Sequence, residues 1–276
     1  MDSTVLAFRK LHESGCFVLP NPWDPGSAVY LKSLGFKALA TTSAGYAFSQ
    51  ALPDGSIPRD RMLRHIREIV AATPLPVNAD FEGGYAVDPE ETAINAVLCS
   101  RTGAAGLSIE DSTHDPKNPL LDRMLAVDRI KAVRAAIDST ESGVVVTARC
   151  EAFLWGVPDA HEIVLDRLPA FAEAGADCLY APGIKDPAIV AEVVKAVAPR
   201  PVNVLAGWPG FTVKQLEDLG VRRISVGGAM ARAAWAGFIQ AAKQIAEKGT
   251  FDGFGWATPG DELNALFKTG ADTRAG

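Results

Sequence analysis

The sequence predicts an α/β protein built as one closed (β/α)₈ barrel, the TIM barrel. Short β-rich runs alternate with segments of helical periodicity along the whole chain, and there are eight such runs. The length, 276 residues, is close to the roughly 250 residues of a single barrel. No Gly-x-Gly-x-x-Gly motif follows the first run, which argues against a dinucleotide-binding sheet. We expect the barrel over residues 1–248 and a C-terminal extension over 249–276.

The eight strands follow from runs rich in β-branched and apolar residues. We predict them at 16–20, 38–43, 76–81, 106–110, 144–150, 177–182, 201–206 and 223–228. The intervening segments place apolar residues at i, i+3, i+4 and i+7, as amphipathic helices do. This pattern is clearest at 59–72, 88–104, 159–176 and 186–199. Several of these helices end in a glycine turn that leads directly into the next strand.

Composition and charge exclude several classes of protein. Lys and Arg number 27 against 33 Asp and Glu, so the net charge of -6 offers no surplus to neutralise a nucleic acid backbone. Four scattered cysteines show neither zinc spacing nor a disulfide pattern. No run approaches the ~18 apolar residues of a membrane span. We therefore expect a cytoplasmic protein with neither nucleic acid nor membrane as a partner.

The C-terminal extension is more apolar than a solvated tail needs to be. It packs either on its own barrel or on a neighbouring subunit. The large apolar residues in it are Phe251, Phe254, Trp256, Leu263, Leu266 and Phe267.

Acidic residues mark the carboxyl ends of strands three and four, where barrel enzymes carry their reacting groups. Because side chains alternate along a strand, Asn78 and Asp80 share a face, and an inward face brings Asp80 near Glu110. Oxygen ligands without thiol or imidazole suit Mg²⁺, with Mn²⁺ as a substitute. The alternative is that the acids cap helices or pair with Arg149, and for Asp88 and Asp111 we predict capping.

Two further strand ends offer groups that suit a carboxylate. Arg149, on strand five, presents a planar fork for a substrate carboxylate or phosphonate, or equally pairs with Glu110. The run Thr42, Ser43, Ala44 and Gly45 closes strand two with small residues, so that N–H groups and the Ser43 hydroxyl can approach a carboxylate or oxyanion.

Among the histidines only His114 lies in a promising place. His12 and His65 belong to helical patterns, and His161 begins a helix. His114 lies in a polar, proline-broken loop over 111–123 that is long enough to act as a lid. We take His114 and Lys117, in the same loop, as candidate catalytic residues, although solvated loop charge explains either one as well.

Four of these segments, in this order, resemble the isocitrate lyase and phosphoenolpyruvate mutase superfamily, over about residues 21–235. They are TTSAGYAFSQALPD at strand two, NADFEGGY at strand three, SIEDS at strand four and ARCEAF at strand five. The resemblance implies Mg²⁺ chemistry on a small carboxylate, stabilisation of a pyruvate-type enolate, and a tetramer, a dimer of dimers that exchanges its eighth helix.

The resemblance also implies roles for individual residues. Asp80 and Glu110 match metal-site acids, and Asp54 matches an acid that reaches the ion through water. Ser43 with Ala44 and Gly45 matches the loop that holds the carboxylate, Arg149 matches the substrate-contacting arginine, and Trp23 is a further candidate for substrate binding.

Departures from the family pattern reduce the number of candidate reactions. Asn78 stands where the family has an acid, and an extra residue follows Asp80, so Glu82 becomes a candidate ligand. Neither the cysteine-bearing lid of the isocitrate-type lyases nor the lid of the phosphonate-transferring enzymes is present. Cys150 should lie on the face opposite Arg149.

We therefore predict first a C–C lyase or hydrolase acting on a 2-oxo or 2-hydroxy dicarboxylate such as oxaloacetate or a substituted malate. Phosphoenolpyruvate or phosphonopyruvate chemistry is second. A non-catalytic dicarboxylate-binding barrel is third.

Overall fold

Eight parallel strands form a nearly closed barrel in the computed structural model, which describes residues 2–272, with side chains to residue 268. The strands are β1 (Phe17–Leu19), β2 (Leu39–Ala40), β3 (Val77–Asp80), β4 (Gly106–Glu110), β5 (Val145–Arg149), β6 (Cys178–Tyr180), β7 (Val202–Leu205) and β8 (Arg223–Ser225). Pairing runs from β2 through β8 to β1. The Ala40 N–H donates to the Pro20 carbonyl at 3.0 Å and links β2 to the end of β1. The predicted TIM barrel and all eight strands are confirmed.

Helices alternate with the strands around the outside. In the described chain they are α1 (Ser3–Leu11), α2 (Pro25–Ser33), α3 (Ser43–Ser49), α4 (Arg59–Ala71), α5 (Pro89–Ser100), α6 (Arg123–Ser139), α7 (Ala152–Trp155), α8 (Ala160–Glu173), α9 (Pro187–Val197), α10 (Val213–Asp218), α11 (Ala229–Lys248) and α12 (Gly260–Asp272). A 3₁₀ turn, Asp252–Phe254, separates the last two.

The register of the strands brings the polar strand ends together. Glu110 on β4 lies opposite Arg149 on β5, which lies opposite Tyr180 on β6. Alternation sends these side chains into the barrel and sends their neighbours, such as Ile109 and Ala148, out towards the helices, where they are fully buried. The sheet thus separates an apolar outer layer from a polar interior.

The start of the chain covers the amino ends of the strands. Phe8 of α1 packs edge-on against Phe17 at the start of β1, and Arg9 donates to the carbonyl of Gly143, just before β5. His12 packs edge-on between the same two aromatic rings. The barrel is therefore closed at this end and open at the carboxyl ends of its strands.

The last two helices leave a broad apolar surface. Of the side chains on α11 only Ala231 and Ala241 are buried, whereas Trp235, Phe238 and Ile239 are exposed. In the extension α12 contacts α2, yet five of its six large apolar residues remain exposed in the single chain. The predicted extension beyond residue 248 thus lies partly on its own barrel, and its residues 273–276 lie outside the described residues.

Among the described helices, none is both long enough and apolar enough to cross a membrane.

Candidate active site

Two adjoining cavities open at the carboxyl ends of the strands. The larger, of 310 Å³, extends down into the barrel past Asp80, Asn78 and Arg149. The smaller, of 240 Å³, lies under the loop after β4 and is lined by Glu82, Glu110 and His114, among others. Both share a wall made of Ser43, Asp54, Arg149 and Leu154.

Arg149 joins the two acids that were predicted to hold a metal. Its Nη1 lies 3.1 Å from Glu110 Oε2 and 3.4 Å from Asp80 Oδ1. Burial raises the pKa of Glu110, but Arg149 and His114 outweigh that effect and hold it below its usual value. Of the two roles predicted for Arg149, pairing with Glu110 is therefore present, and the side chain also faces both cavities.

Glu151 orients Arg149, and it was not among the residues predicted for the site. Both of its carboxylate oxygens accept from Arg149, through Nε and Nη2. The Glu151 N–H in turn donates to Asp111 Oδ1 at 2.8 Å, and Asp111 Oδ2 accepts from Arg167 at 2.8 Å. This chain of contacts ties Arg149 to the outer helix α8.

The prediction that Asp111 caps a helix is wrong. It is buried, 2% exposed, and α6 is capped instead by Asp122, which accepts from the N–H groups of Met124 and Leu125. An acid this deep needs a charged partner, and Arg167 supplies it. Asp88 does cap α5, as expected.

Ser43 begins α3 and points towards Asp80. Its N–H and its hydroxyl both donate to Asp80 Oδ2, at 2.9 and 3.0 Å. Thr42 is the helix N-cap, since its hydroxyl accepts from the Gly45 N–H. Thr42, Ser43 and Ala44, three of the four small residues predicted to close β2 at the site, line the larger cavity.

Asp54 and Glu82 lie at the same site in strongly acidic surroundings. Burial, with Asp80 and Glu110 nearby, raises the pKa of Asp54 and raises that of Glu82 to about 8. Glu82 has φ +48°, and its Oε1 is buried without a hydrogen-bond partner among the described atoms. Arg129 donates to the carbonyls of Gly83 and Ala86 and so holds this turn in place.

His114 reaches the site, whereas Lys117 does not. His114 Nε2 lies 3.2 Å from Glu110 Oε1, and this contact raises the pKa of the imidazole. Lys117 is exposed and lines neither cavity. The loop itself is fastened by the Trp155 indole N–H, which donates to Ser112 Oγ at 3.1 Å.

Trp23 and Gly45 also lie away from the cavities. Trp23 lines an apolar groove with Trp235 and Phe238 of α11. A Cβ on Gly45 would come within 2.7 Å of Thr42 Cγ2 and 3.0 Å of Trp23 Cβ. Glycine is required there for close packing rather than for access of a substrate.

The four acids of the site suit a hard cation such as Mg²⁺, whose remaining coordination positions water would fill. Asp80, Glu110, Asp54 and Glu82 supply only oxygen, and the unpartnered Glu82 Oε1 is an acceptor that a cation would satisfy. Within the described side chains no three His, Cys, Asp or Glu residues converge closely enough to form a metal centre. Mg²⁺ does not require three, because it is often held by one or two carboxylates.

A polar floor in the larger cavity was not predicted. Asn21, Asn203, Ser225 and Arg223 line it, although barrel interiors are usually filled by branched apolar side chains. The available signal was strand alternation, since Asn203 on β7 and Arg223 and Ser225 on β8 occupy inward positions.

The fold and this site define a member of the phosphoenolpyruvate mutase family, to which the chain belongs. The family model described as phosphoenolpyruvate phosphomutase matches residues 8–246. A solved structure of a lyase/mutase from Burkholderia cenocepacia J2315 is 46% identical to this chain, with coverage of 96% of both chains and a TM-score of 0.93.

Relatives with named activities include 2-methylisocitrate lyase of Salmonella typhimurium, 30% identical over 69% of this chain and 67% of its own length. A 2,3-dimethylmalate lyase is 26% identical, with a TM-score of 0.86 and full coverage of both chains. An oxaloacetate acetylhydrolase, solved with its product oxalate, is 26% identical with a TM-score of 0.85, and covers 99% of this chain and 98% of its own. The predicted superfamily is confirmed, and these lyases support the prediction of an enzyme that cleaves carbon–carbon bonds.

Proposed function

We propose that this chain is a Mg²⁺-dependent carbon–carbon lyase or hydrolase acting on a small 2-oxo or 2-hydroxy dicarboxylate. The observation that carries the proposal is the pairing of Asp80 and Glu110 across Arg149, at the junction of two cavities open to solvent. The names of the relatives support the same class of substrate, since oxaloacetate and dimethylmalate are both dicarboxylates.

Asp80 and Glu110 are the residues that would hold the metal, with Asp54 and Glu82 beside them. When bound, Mg²⁺ would neutralise negative charge that develops on a 2-oxo acid. In this structure Asp80 and Glu110 accept hydrogen bonds from Ser43 and Arg149. If both acids bound a metal instead, N–H and O–H donors of Ser43 and Arg149 would become available to the substrate.

Arg149 and Ser43 are the groups that would bind and orient the substrate. Glu151 holds the guanidinium plane of Arg149 from one side, and the Tyr180 ring lies under it, 5.4 Å from Arg149 Cζ to the ring centroid. A fixed fork of this kind binds a carboxylate with two parallel hydrogen bonds. The hydroxyl and N–H of Ser43 offer two further donors to a carboxylate or oxyanion.

The reaction can be written for oxaloacetate. The bond between C3 and C4 breaks, CO₂ leaves, and the electron pair remains on the enolate of pyruvate, which then takes one proton at C3. Residues that hold the second carboxylate out of plane and stabilise the enolate oxygen lower the barrier to this step.

A substrate panel tests the proposal. The purified protein with Mg²⁺ is mixed with oxaloacetate, 2,3-dimethylmalate, methylisocitrate, phosphonopyruvate and phosphoenolpyruvate, and products are followed by proton and phosphorus NMR. We expect cleavage of a dicarboxylate to a 2-oxo acid or an acid fragment. Turnover of phosphonopyruvate or phosphoenolpyruvate alone would replace the proposal with P–C chemistry, and no turnover with metal bound would favour a binding barrel.

Removal of the metal gives a second test. Treatment with EDTA should abolish cleavage and either Mg²⁺ or Mn²⁺ should restore it, because the site offers only oxygen ligands. Asp80→Ala should lose activity with an unchanged circular dichroism spectrum. Undiminished turnover by metal-free protein would contradict the metal assignment.

A further inference from the structure

Arg223 is a buried cation at the bottom of the larger cavity. It is 2% exposed and lines the cavity. Among the described side chains no Asp or Glu forms an ion pair with it, whereas Arg149 and Arg167 each have acid partners. A buried charge without a counter-charge is costly, so this position calls for a function.

The guanidinium of Arg223 crosses the interior of the barrel. Arg223 is on β8, yet its Nη2 donates to Thr147 Oγ1 on β5 at 3.0 Å, and strands β7 and β6 lie between them. Its Nε donates to Asn203 Oδ1 at 2.9 Å. Since it spans the barrel below Arg149 and Asp80, it forms part of the floor on which a bound molecule would rest.

Every partner of Arg223 is neutral, including the imidazole beneath it. His12 Nδ1 lies 2.8 Å from the Phe8 carbonyl and so carries the proton, which leaves Nε2 to accept from Arg223 Nη1 at 3.3 Å. Burial and the charge of Arg223 lower the pKa of His12 to about 3, so His12 stays neutral.

Donors remain free at this floor. A guanidinium has five N–H groups, and three acceptors are present, which leaves two without an acceptor among the described atoms. Ser225 Oγ accepts from Asn203 Nδ2 at 2.9 Å and also hydrogen-bonds the side chain of Tyr180, so Arg223 supplies the free donors of this floor. The upper wall of the cavity carries both acids and Arg149, and there the guanidinium is engaged by Asp80, Glu110 and Glu151, whereas Arg223 at the floor has no acid partner among the described side chains.

We infer that Arg223, with Asn203 and Ser225, forms an anion subsite on the cavity floor that takes the second anionic group of the substrate. The group is a carboxylate or a phosphonate, which present the same oxygens to a guanidinium. The inference deepens the proposed function and rests on it for the identity of the substrate, but binding can be measured without turnover.

Matched ligands test the subsite by calorimetry on the full chain in buffer with Mg²⁺. Succinate and butyrate have the same length and differ only in the second carboxylate, and 3-phosphonopropionate replaces that carboxylate with a phosphonate. We expect succinate to bind at least about tenfold more tightly than butyrate, as one charged hydrogen bond would give. Arg223→Met should remove most of this preference, whereas Arg134→Met, which deletes a half-buried guanidinium outside the barrel, should retain it.

The three outcomes are distinct. A wild-type protein without preference for succinate, or a preference that survives Arg223→Met, overturns the subsite. Tighter binding of 3-phosphonopropionate that depends on Arg223 supports the subsite and assigns a phosphonate as its anion. Failure of the substrate panel with this preference intact would reject the proposed reaction and leave the subsite standing.

A measurement on the wild type covers the case in which Arg223→Met does not fold. The ¹⁵N signal of His12 Nε2, assigned with His12→Gln, reports on the Arg223 N–H that it accepts. Succinate should shift this signal and butyrate should not. An unchanged His12 signal at saturating succinate would overturn the inference.

Discussion

His65 shows how burial without a charged partner makes stability depend on pH. It is 1% exposed and stacks on Tyr46 with ring centroids 3.8 Å apart, and burial lowers its pKa to about 4. The unfolded chain, with a histidine pKa near ~6.5, binds the proton first. The contribution is therefore complete above about pH 6.5 and is lost as pH falls towards 4, by up to roughly 3 kcal/mol.

His65→Leu should remove this dependence, and His161→Gln, which changes a half-buried histidine outside the buried core, serves as the matched control. Urea unfolding of wild type and both variants between pH 7 and 4 measures how the free energy of unfolding depends on pH. His12 has its own lowered pKa and leaves some slope in the His65 variant. Equal slopes for wild type and His65→Leu would contradict the account.

At this scale the sequence allowed some residues of the site to be predicted and not others. Asp80, Glu110 and Arg149 could be placed together because parallel strands end at one face of the barrel. Glu151 could not, because its role depends on a turn that folds the residue after Cys150 back onto Arg149. Trp23 was predicted to bind substrate but faces α11 instead. Local sequence does not show which side of the turn before α2 faces the cavity.

At the scale of elements, a buried ion pair anchors both ends of the loop after β4. Arg167 donates to Asp111 Oδ2 and to the Leu121 carbonyl, both at 2.8 Å, and so fastens both ends of the loop to α8. Arg167→Met should cost about 3–5 kcal/mol of unfolding free energy, because it leaves a buried acid without its cation.

The double variant Asp111→Asn with Arg167→Met should be more stable than Arg167→Met alone, since the amide oxygen can still accept from the Glu151 N–H. Chemical denaturation of the two variants and wild type checks this. A loss below ~1 kcal/mol for Arg167→Met would show that the pair is not a structural anchor. The sequence did not reveal this pair, because its two residues are separated by most of two βα units.

At the scale of the whole molecule, the exposed apolar surface of α11 and the extension predicts assembly. Trp235, Phe238, Phe251 and Trp256 are between 39% and 65% exposed in the single chain, which is unusual for a lone barrel. We propose a homo-oligomer, a tetramer, in which this surface is covered by another subunit. Removal of residues 250–276 should yield smaller species or insoluble protein by light scattering, and a stable monomeric intact chain would contradict it.

The barrel itself was the most predictable feature, because eight βα repeats with glycine turns admit few other closed arrangements. The position of the extension was not predictable, since apolar residues after Lys248 suit a neighbouring subunit as well as the barrel. The sequence does not show which surface covers the apolar residues of the extension, because that depends on how the folded chain packs on itself and on other subunits.

The most direct test of the central claim compares two adjacent residues in one assay. Arg149 faces the cavities, whereas Cys150 is fully buried on the other side of the barrel wall. With the best substrate of the panel and saturating Mg²⁺, the initial rate of carbon–carbon cleavage is measured by proton NMR for wild type, Arg149→Ala and Cys150→Ala. Arg149→Ala should lower kcat/KM at least ~100-fold, equivalent to about 2.7 kcal/mol in the transition state, and Cys150→Ala should retain most of the wild-type rate. An unimpaired Arg149→Ala enzyme, or one inactivated by Cys150→Ala, would contradict the account.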